Sequence, residues 1–362
     1  MKKILLVVLM FLLCACGAQG NILSVSGNIV SFDNNGNGDI DISNSDFLSA
    51  GFDYGDSVNI EFGNGDVIED VPFLSGMYVE YGEIMVYGKE SKDKVSFIQK
   101  YKNFEENYDV DENASYTITM NEEAKYSYIE EVGKLTYSNN FEDYNDEVKF
   151  ANFREVKVGD IKEGRLYRST SVINNSANRR DYSAKLALDY NVKTILNVID
   201  KDDEFEELIA NLDGDCKTLI ENTKIVRAPI SNDYQSDKNN KIIAEGLIEL
   251  INCDCPYLVH CLEGKDRTGY VMAIIESLCN ASYQEIVDDY MTTYDNYYGV
   301  NKDTDLEKYN YIKETNIDAM LKFITKSDDL ENVDLVISTK SFLMGYGMSE
   351  ENINQLINRL CN

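Results

Sequence analysis

The apolar rhythm of this chain changes near residue 148, and one fold cannot serve both rhythms. Before that point, short segments alternate apolar and polar residues, as in Val58-Asn59-Ile60-Glu61-Phe62 and Tyr116-Thr117-Ile118-Thr119-Met120, between clusters of Gly, Asn and Asp. A period of two buries one face of a strand. Residues 16–145 are therefore expected to form a small β-rich module, a barrel or a sandwich, ending in an irregular acidic connector over 121–147. Within it, Val95 to Phe104 is compatible with a short helix, and the many tyrosines of 78–144 read as strand-face packing. After residue 148, apolar runs of strand length take turns with helix-spaced stripes. Strands over 192–199, 224–230 and 257–259, with helices over 182–190 and 242–251, predict an α/β domain spanning 148–362. Its sheet is expected to be central, mainly parallel and flanked by helices. A chain of 362 residues has room for both units.

Charge narrows the possible functions. Asp and Glu number 64 against 34 Lys and Arg, which argues against nucleic acid as a partner. Any anion site must build its own positive potential against that field. The single histidine, His260, excludes a metal centre with two imidazoles. At the start, Lys2 and Lys3 precede an apolar run, Ile4 to Leu13, too short to span a membrane comfortably. It ends in Leu13-Cys14-Ala15-Cys16, which resembles the bacterial lipoprotein signal. That resemblance implies removal of residues 1–15, lipid attachment at Cys16, and a protein exported and anchored to the outer face of the bacterial cell membrane. The remaining cysteines, Cys216, Cys253, Cys255, Cys261, Cys279 and Cys361, fix no pairing by themselves.

The chemistry concentrates at one place. Tyr257-Leu258-Val259 runs straight into His260-Cys261-Leu262-Glu263-Gly264-Lys265-Asp266-Arg267-Thr268-Gly269, and Val271, Ile274, Ile275 and Leu278 then mark a helix. A strand, a Cys-x5-Arg loop and a helix in that order can turn several backbone N–H groups and a helix N-terminus towards one point. Such a nest favours a thiolate, with activated thiols titrating at roughly 3.5 to 7.5. It also matches the equatorial oxygens of a phosphoryl group, to which an arginine adds a planar bidentate contact.

These residues resemble the Cys-x5-Arg tyrosine and dual-specificity phosphatases, in particular the bacterial family whose loop reads His-Cys-x-x-Gly-Lys-Asp-Arg-Thr-Gly. Asn152-Phe153-Arg154-Glu155, Arg165-Leu166-Tyr167-Arg168-Ser169 and residues 348–360 are similar to further stretches of that family, so the resemblance covers 150–362. It implies the cysteine-phosphatase fold and a phosphocysteine intermediate on Cys261, with Arg267 as the phosphate clamp. His260 orients the loop, Lys265 adds positive potential, Thr268 hydrogen-bonds the sulfur, and Leu262, Glu263 and Gly264 complete the phosphate loop. Two carboxylates remain candidates for the general acid: Asp266 in the loop, which is preferred, and Asp233 after an upstream strand. No metal or other cofactor is implied.

The expected partner is a phosphorylated protein or a small phosphomonoester, with protein phosphotyrosine first. The competing readings are a phosphoinositide or inositol phosphate phosphatase on the same scaffold, and a surface binding lipoprotein whose phosphatase domain is vestigial. Intact Cys261, Arg267 and Thr268 argue against the last. Glu263 is expected to point outward and to disfavour heavily phosphorylated substrates.

Upstream, Asp33 to Asp41 places oxygen side chains at much of the spacing of an EF-hand calcium loop, but Asn44 stands where a bidentate Glu belongs. A turn between strands is the stronger expectation there, and calcium the weaker. The same stretch, with Val71-Pro72-Phe73, faintly resembles the β-domain of S-adenosylmethionine hydrolases, which implies a barrel shape only.

Overall fold

A computed structural model describes residues 22–362, so the leader over 1–15 and the lipid site at Cys16 lie outside the described residues. Among the described residues no helix is long and apolar enough to cross a membrane. The chain divides into two compact units between Glu130 and Glu131.

The first unit is a closed barrel of β1 (Ser24–Phe32), β2 (Gly38–Ile40), β3 (Ser57–Phe62), β4 (Val67–Leu74), β5 (Ile84–Lys89), β6 (Lys94–Gln99) and β7 (Ser115–Glu122). Their order round the ring is β1-β2-β6-β5-β4-β3-β7. Alternation works as the sequence implies: Val58, Ile60, Phe62, Tyr116 and Ile118 point into the core, while Glu61 is exposed. Closure leaves no free strand edge.

One expectation fails here. Val95 to Phe104 is not a helix; its first half is β6, which pairs with β5 and β2 and buries Val95 and Phe97. Alternating β-branched and aromatic side chains outweigh the helical spacing. A helix begins only at Phe104–Tyr108, capped by the Asn103 side chain. In the Asp33 loop, the aspartate is committed to a turn, accepting the N–H groups of Asn35 at 2.8 Å and Asn37 at 3.1 Å. Among the described residues no group of three or more His, Cys, Asp or Glu is placed to share a cation.

The second unit is built on a sheet of β8 (Arg154–Glu155), β9 (Leu166–Ser169), β10 (Thr194–Asn197), β11 (Lys224–Arg227) and β12 (Tyr257–His260), in the order β11-β10-β12-β9-β8. All pairs are parallel except β8 with β9. Side chains leave the sheet on alternate faces. Leu166, Leu196, Val226 and Val259 join one core, with Leu247 and Leu250 of the helix Asp237–Ile251 and Ile274 and Leu278 of the helix Asp266–Leu278. Tyr167, Ile195 and Leu258 join the other, with Ala184 and Ala187 of the helix Arg180–Asp189. Burying such a side chain fully stabilises by about 1.5–3 kcal/mol each.

Local signals seat the helices around that sheet. Ser282 and Glu285 form a capping box that opens the helix Tyr283–Tyr298, and Ser349 with Asn352 opens Glu350–Cys361 in the same way. The stretch read as an irregular connector is more ordered than expected. Asp146 caps a short helix, Glu147–Phe150, whose Phe150 is buried. The strand that matters most is β12. It lies in the middle of the sheet, and its C-terminal end opens into the Cys261 loop, where parallel sheets leave a crevice.

Candidate active site

The loop after β12 is shaped by where its carbonyls go. His260 Nδ1 bonds the Cys261 carbonyl at 3.1 Å, and the Ser171 amide donates to the Leu262 carbonyl at 3.0 Å. The Tyr297 hydroxyl donates to Glu263 O at 2.7 Å, with Asn152 Nδ2 at 3.3 Å from the same oxygen. Arg168 Nη2 donates to Gly264 O at 2.8 Å. The Gly269 amide reaches Lys265 O at 2.7 Å as the first turn of the following helix forms. Every carbonyl from Cys261 to Lys265 is thus held by a donor outside the cup. Because each peptide unit is planar and trans, its N–H points the opposite way, towards the cup.

Gly264 makes this path possible. It has φ +66°, and a Cβ there would sit 2.3 Å from the Ser169 carbonyl oxygen, so a side chain fails on both counts.

Cys261, Leu262, Glu263, Asp266, Arg267 and Asn232 line a small cavity at the centre of this loop. The Cys261 thiol is free and nearly buried. His260 is completely buried. Burial depresses its pKa, outweighing the Cys261 carbonyl and Asp200, so the ring is neutral at physiological pH. A neutral ring with Nδ1 committed to a carbonyl orients the loop. Thr268 Oγ1 is buried and makes no hydrogen bond, so the expected bond to the cysteine sulfur is not formed. It lies in the first turn of the helix Asp266–Leu278 and is not among the residues that line the cavity.

The two candidate acids part company. Asp266 lines the cavity, takes a long hydrogen bond from the Tyr290 hydroxyl at 3.4 Å, and lies 3.9 Å from Lys265 Nζ. Burial pushes its carboxyl pKa up, with Glu263 adding to the rise and Lys265 opposing it. Asp233 is exposed and outside the cavity lining, its carboxylate accepting the Gln235 amide at 3.1 Å. Its neighbour Asn232 is the residue that reaches the cavity. Glu263, expected to point outward, is held at both of its carboxylate oxygens. Its Oε1 accepts from the Tyr137 hydroxyl at 2.5 Å, and its Oε2 lies 3.3 Å from Lys265 Nζ.

Beneath the loop lies a charged layer to which sequence reasoning assigned no role. Arg168, buried to 1% exposure, pairs with Asp289 Oδ2, while Arg154 Nε reaches Asp289 Oδ1 at 2.7 Å. Arg154 also contacts Asn152 Oδ1 at 2.8 Å and Thr293 Oγ1 at 3.2 Å. Burial alone would raise the Asp289 pKa, but Arg154 and Arg168 overcome it and pull the carboxyl down to about 2. Close by, Glu276 is buried, and burial and Asp289 push its carboxyl pKa well upward. The available signal was a helical stripe: Asp289, Thr293 and Tyr297 share one face of Tyr283–Tyr298 and supply the partners.

The model of the tyrosine phosphatase family matches residues 140–362, well over half of the chain. The chain belongs to that family. Among solved structures, this tyrosine phosphatase family member is similar to the core catalytic domain of the PP-IP phosphatase Siw14 from S. cerevisiae, with 20% identity over 48% of this chain and 91% of that one, at a TM-score of 0.29. It is also similar to P. aeruginosa TpbA in complex with pTyr, with 17% identity over 44% and 84% and a TM-score of 0.26. An uncharacterized conserved protein from Thermotoga maritima matches at 21% identity and a TM-score of 0.24, covering 26% of this chain and about a third, 35%, of that one. No curated protein matches the chain by sequence.

Proposed function

We propose that this chain hydrolyses phosphomonoesters through a phosphocysteine on Cys261, and that phosphotyrosine in proteins is its substrate. The observation that carries the reading is the outward tether of every carbonyl from Cys261 to Lys265, which leaves the matching amides to receive phosphoryl oxygens. Arg267 lines the same cavity and completes the clamp. In the first step the Cys261 thiolate attacks phosphorus, the bond to the leaving oxygen breaks, and Asp266 gives that oxygen a proton. In the second, water attacks phosphorus and loses a proton to Asp266, the S–P bond breaks, and inorganic phosphate leaves with the thiolate restored.

Glu263 on the cavity wall disfavours additional phosphates and so supports a singly phosphorylated substrate, phosphotyrosine first. A phosphoinositide or inositol phosphate is the second reading, and Lys265, an additional cation in the loop, is the feature that favours it. The basic test is hydrolysis of an aryl phosphate without added metal, blocked by vanadate; absence of that activity overturns the reading.

The general acid can be assigned with a poor leaving group. An acid must hold its proton at working pH, and the upward shift of Asp266 extends that range. On an alkyl phosphate, Asp266→Asn is expected to lower kcat by roughly 10²–10⁴-fold. Asp233→Asn should change it by no more than about threefold, and the opposite order would move the role to Asp233.

We further propose that Cys16 carries a lipid that anchors the exported protein to the outer face of the cell membrane. Cys16→Ser should then move the protein from the membrane fraction to the soluble one. Continued sedimentation with membranes would remove the anchor from this account.

A further inference from the structure

Tyr137 lies just ahead of the segment that matches the phosphatase family, yet it contacts the phosphate loop. Its hydroxyl donates to Glu263 Oε1 at 2.5 Å, and Lys265 Nζ stands 3.3 Å from Oε2 of the same carboxylate. Its ring stacks on Tyr297, with centroids 4.7 Å apart and planes 19° from parallel, and meets Tyr298 edge-on. Tyr297 in turn holds the Glu263 carbonyl, and the Tyr298 hydroxyl accepts from Lys265 Nζ at 3.2 Å. Glu263 is therefore fixed through both carboxylate oxygens on the wall of the cavity that holds Cys261 and Arg267. Lys265, the cation that would otherwise welcome an additional phosphate, is occupied by Glu263, Tyr298 and, at 3.9 Å, Asp266.

We propose that Tyr137, acting through Glu263, sets the charge selectivity of the site: it accepts a lone phosphomonoester on an uncharged ring and rejects substrates with a second phosphate beside the first. This deepens the phosphomonoester reading and rests on it. A second phosphate brings up to two more negative charges to a wall where a carboxylate cannot turn away, because two donors hold it. In this partly buried setting the repulsion is felt more strongly than it would be in water. An uncharged aromatic ring brings no charge for that wall to repel. Tyr137 is a positioning residue here, and Glu263 the group that discriminates.

The test compares kcat/KM for p-nitrophenyl phosphate with that for inositol hexakisphosphate, using the purified protein across a range of salt. Wild type should favour the monophosphate, and the preference should shrink as salt screens the wall. Glu263→Gln should shift the ratio towards the polyphosphate by about tenfold, equivalent to about 1.4 kcal/mol. Tyr137→Phe keeps the ring stack and loses only the hydroxyl, so a shift of about threefold in the same direction is expected. If Glu263→Gln does not fold, Tyr137→Phe and the salt dependence of wild type decide. A wild type active on p-nitrophenyl phosphate, with a ratio indifferent to salt and to these substitutions, overturns the selectivity alone. A wild type inactive on that ester overturns the phosphatase reading together with it.

Discussion

Replacing Cys261 by serine should abolish aryl phosphate hydrolysis, by a factor on the order of 10⁴ or more, while leaving vanadate or phosphate binding in place. The expectation follows from what surrounds the sulfur. The amides that face the cavity and the Arg267 guanidinium do not depend on the nucleophile, so the anion site survives the change. A serine hydroxyl is far harder to ionise than a thiol and needs a base beside it. His260 cannot serve, since it is buried, neutral and committed through Nδ1 to the Cys261 carbonyl. Stopped release of p-nitrophenol together with retained binding by calorimetry would meet the expectation. Residual activity within about tenfold of wild type would mean that another group attacks phosphorus.

Arg168→Ala should cost about 3 kcal/mol of stability, the lower end of the penalty for stripping one partner from a buried ion pair, because Arg154 still holds Asp289. Arg168 is 1% exposed, pairs with Asp289, and donates to the Gly264 carbonyl, so its loss leaves that buried carboxylate with Arg154 alone and frees the loop at once. For a unit of this size, the melting temperature should fall by on the order of 10 °C. Arg168→Lys restores the charge without the planar fork and should recover only part of the loss.

The same pair sets an acid limit. A carboxyl held down to about 2 when folded contributes fully above its unfolded value near ~3.9, and the contribution drains away as pH falls between those values. The wild type should therefore lose stability across that window, and Arg168→Ala should lose less of it there, because less remained. Thermal melts at pH 7 and across pH 2 to 5 check both statements; equal slopes would deny Asp289 its role.

The proposed nucleophile, the arginine and the candidate acid were legible because they are contiguous: one loop of ten residues carries them, and the strand before it and the helix after it announce themselves by apolar spacing. The alternation of β3 and β7 likewise showed which face is buried. The strand β6 was misread because ten residues with apolar side chains at mixed spacing satisfy two periods, and only pairing with β5 and β2 decides between them. The support of the loop was invisible for another reason. Asn152, Arg168, Ser171 and Tyr297 bond neighbouring carbonyls although they lie far apart along the chain, and no local pattern announces a donor whose acceptor is 96 residues away. The hold on Glu263 could not be foreseen because its partner, Tyr137, is 126 residues distant.

That wide spacing of donors has a developmental meaning for the molecule. The outer tethers of the cup cannot be complete in a chain that has not yet delivered residue 297, since Tyr297 joins Asn152 on the Glu263 carbonyl only then. On the proposed reading, activity towards phosphate esters should follow, and not precede, the closing of these long-range contacts.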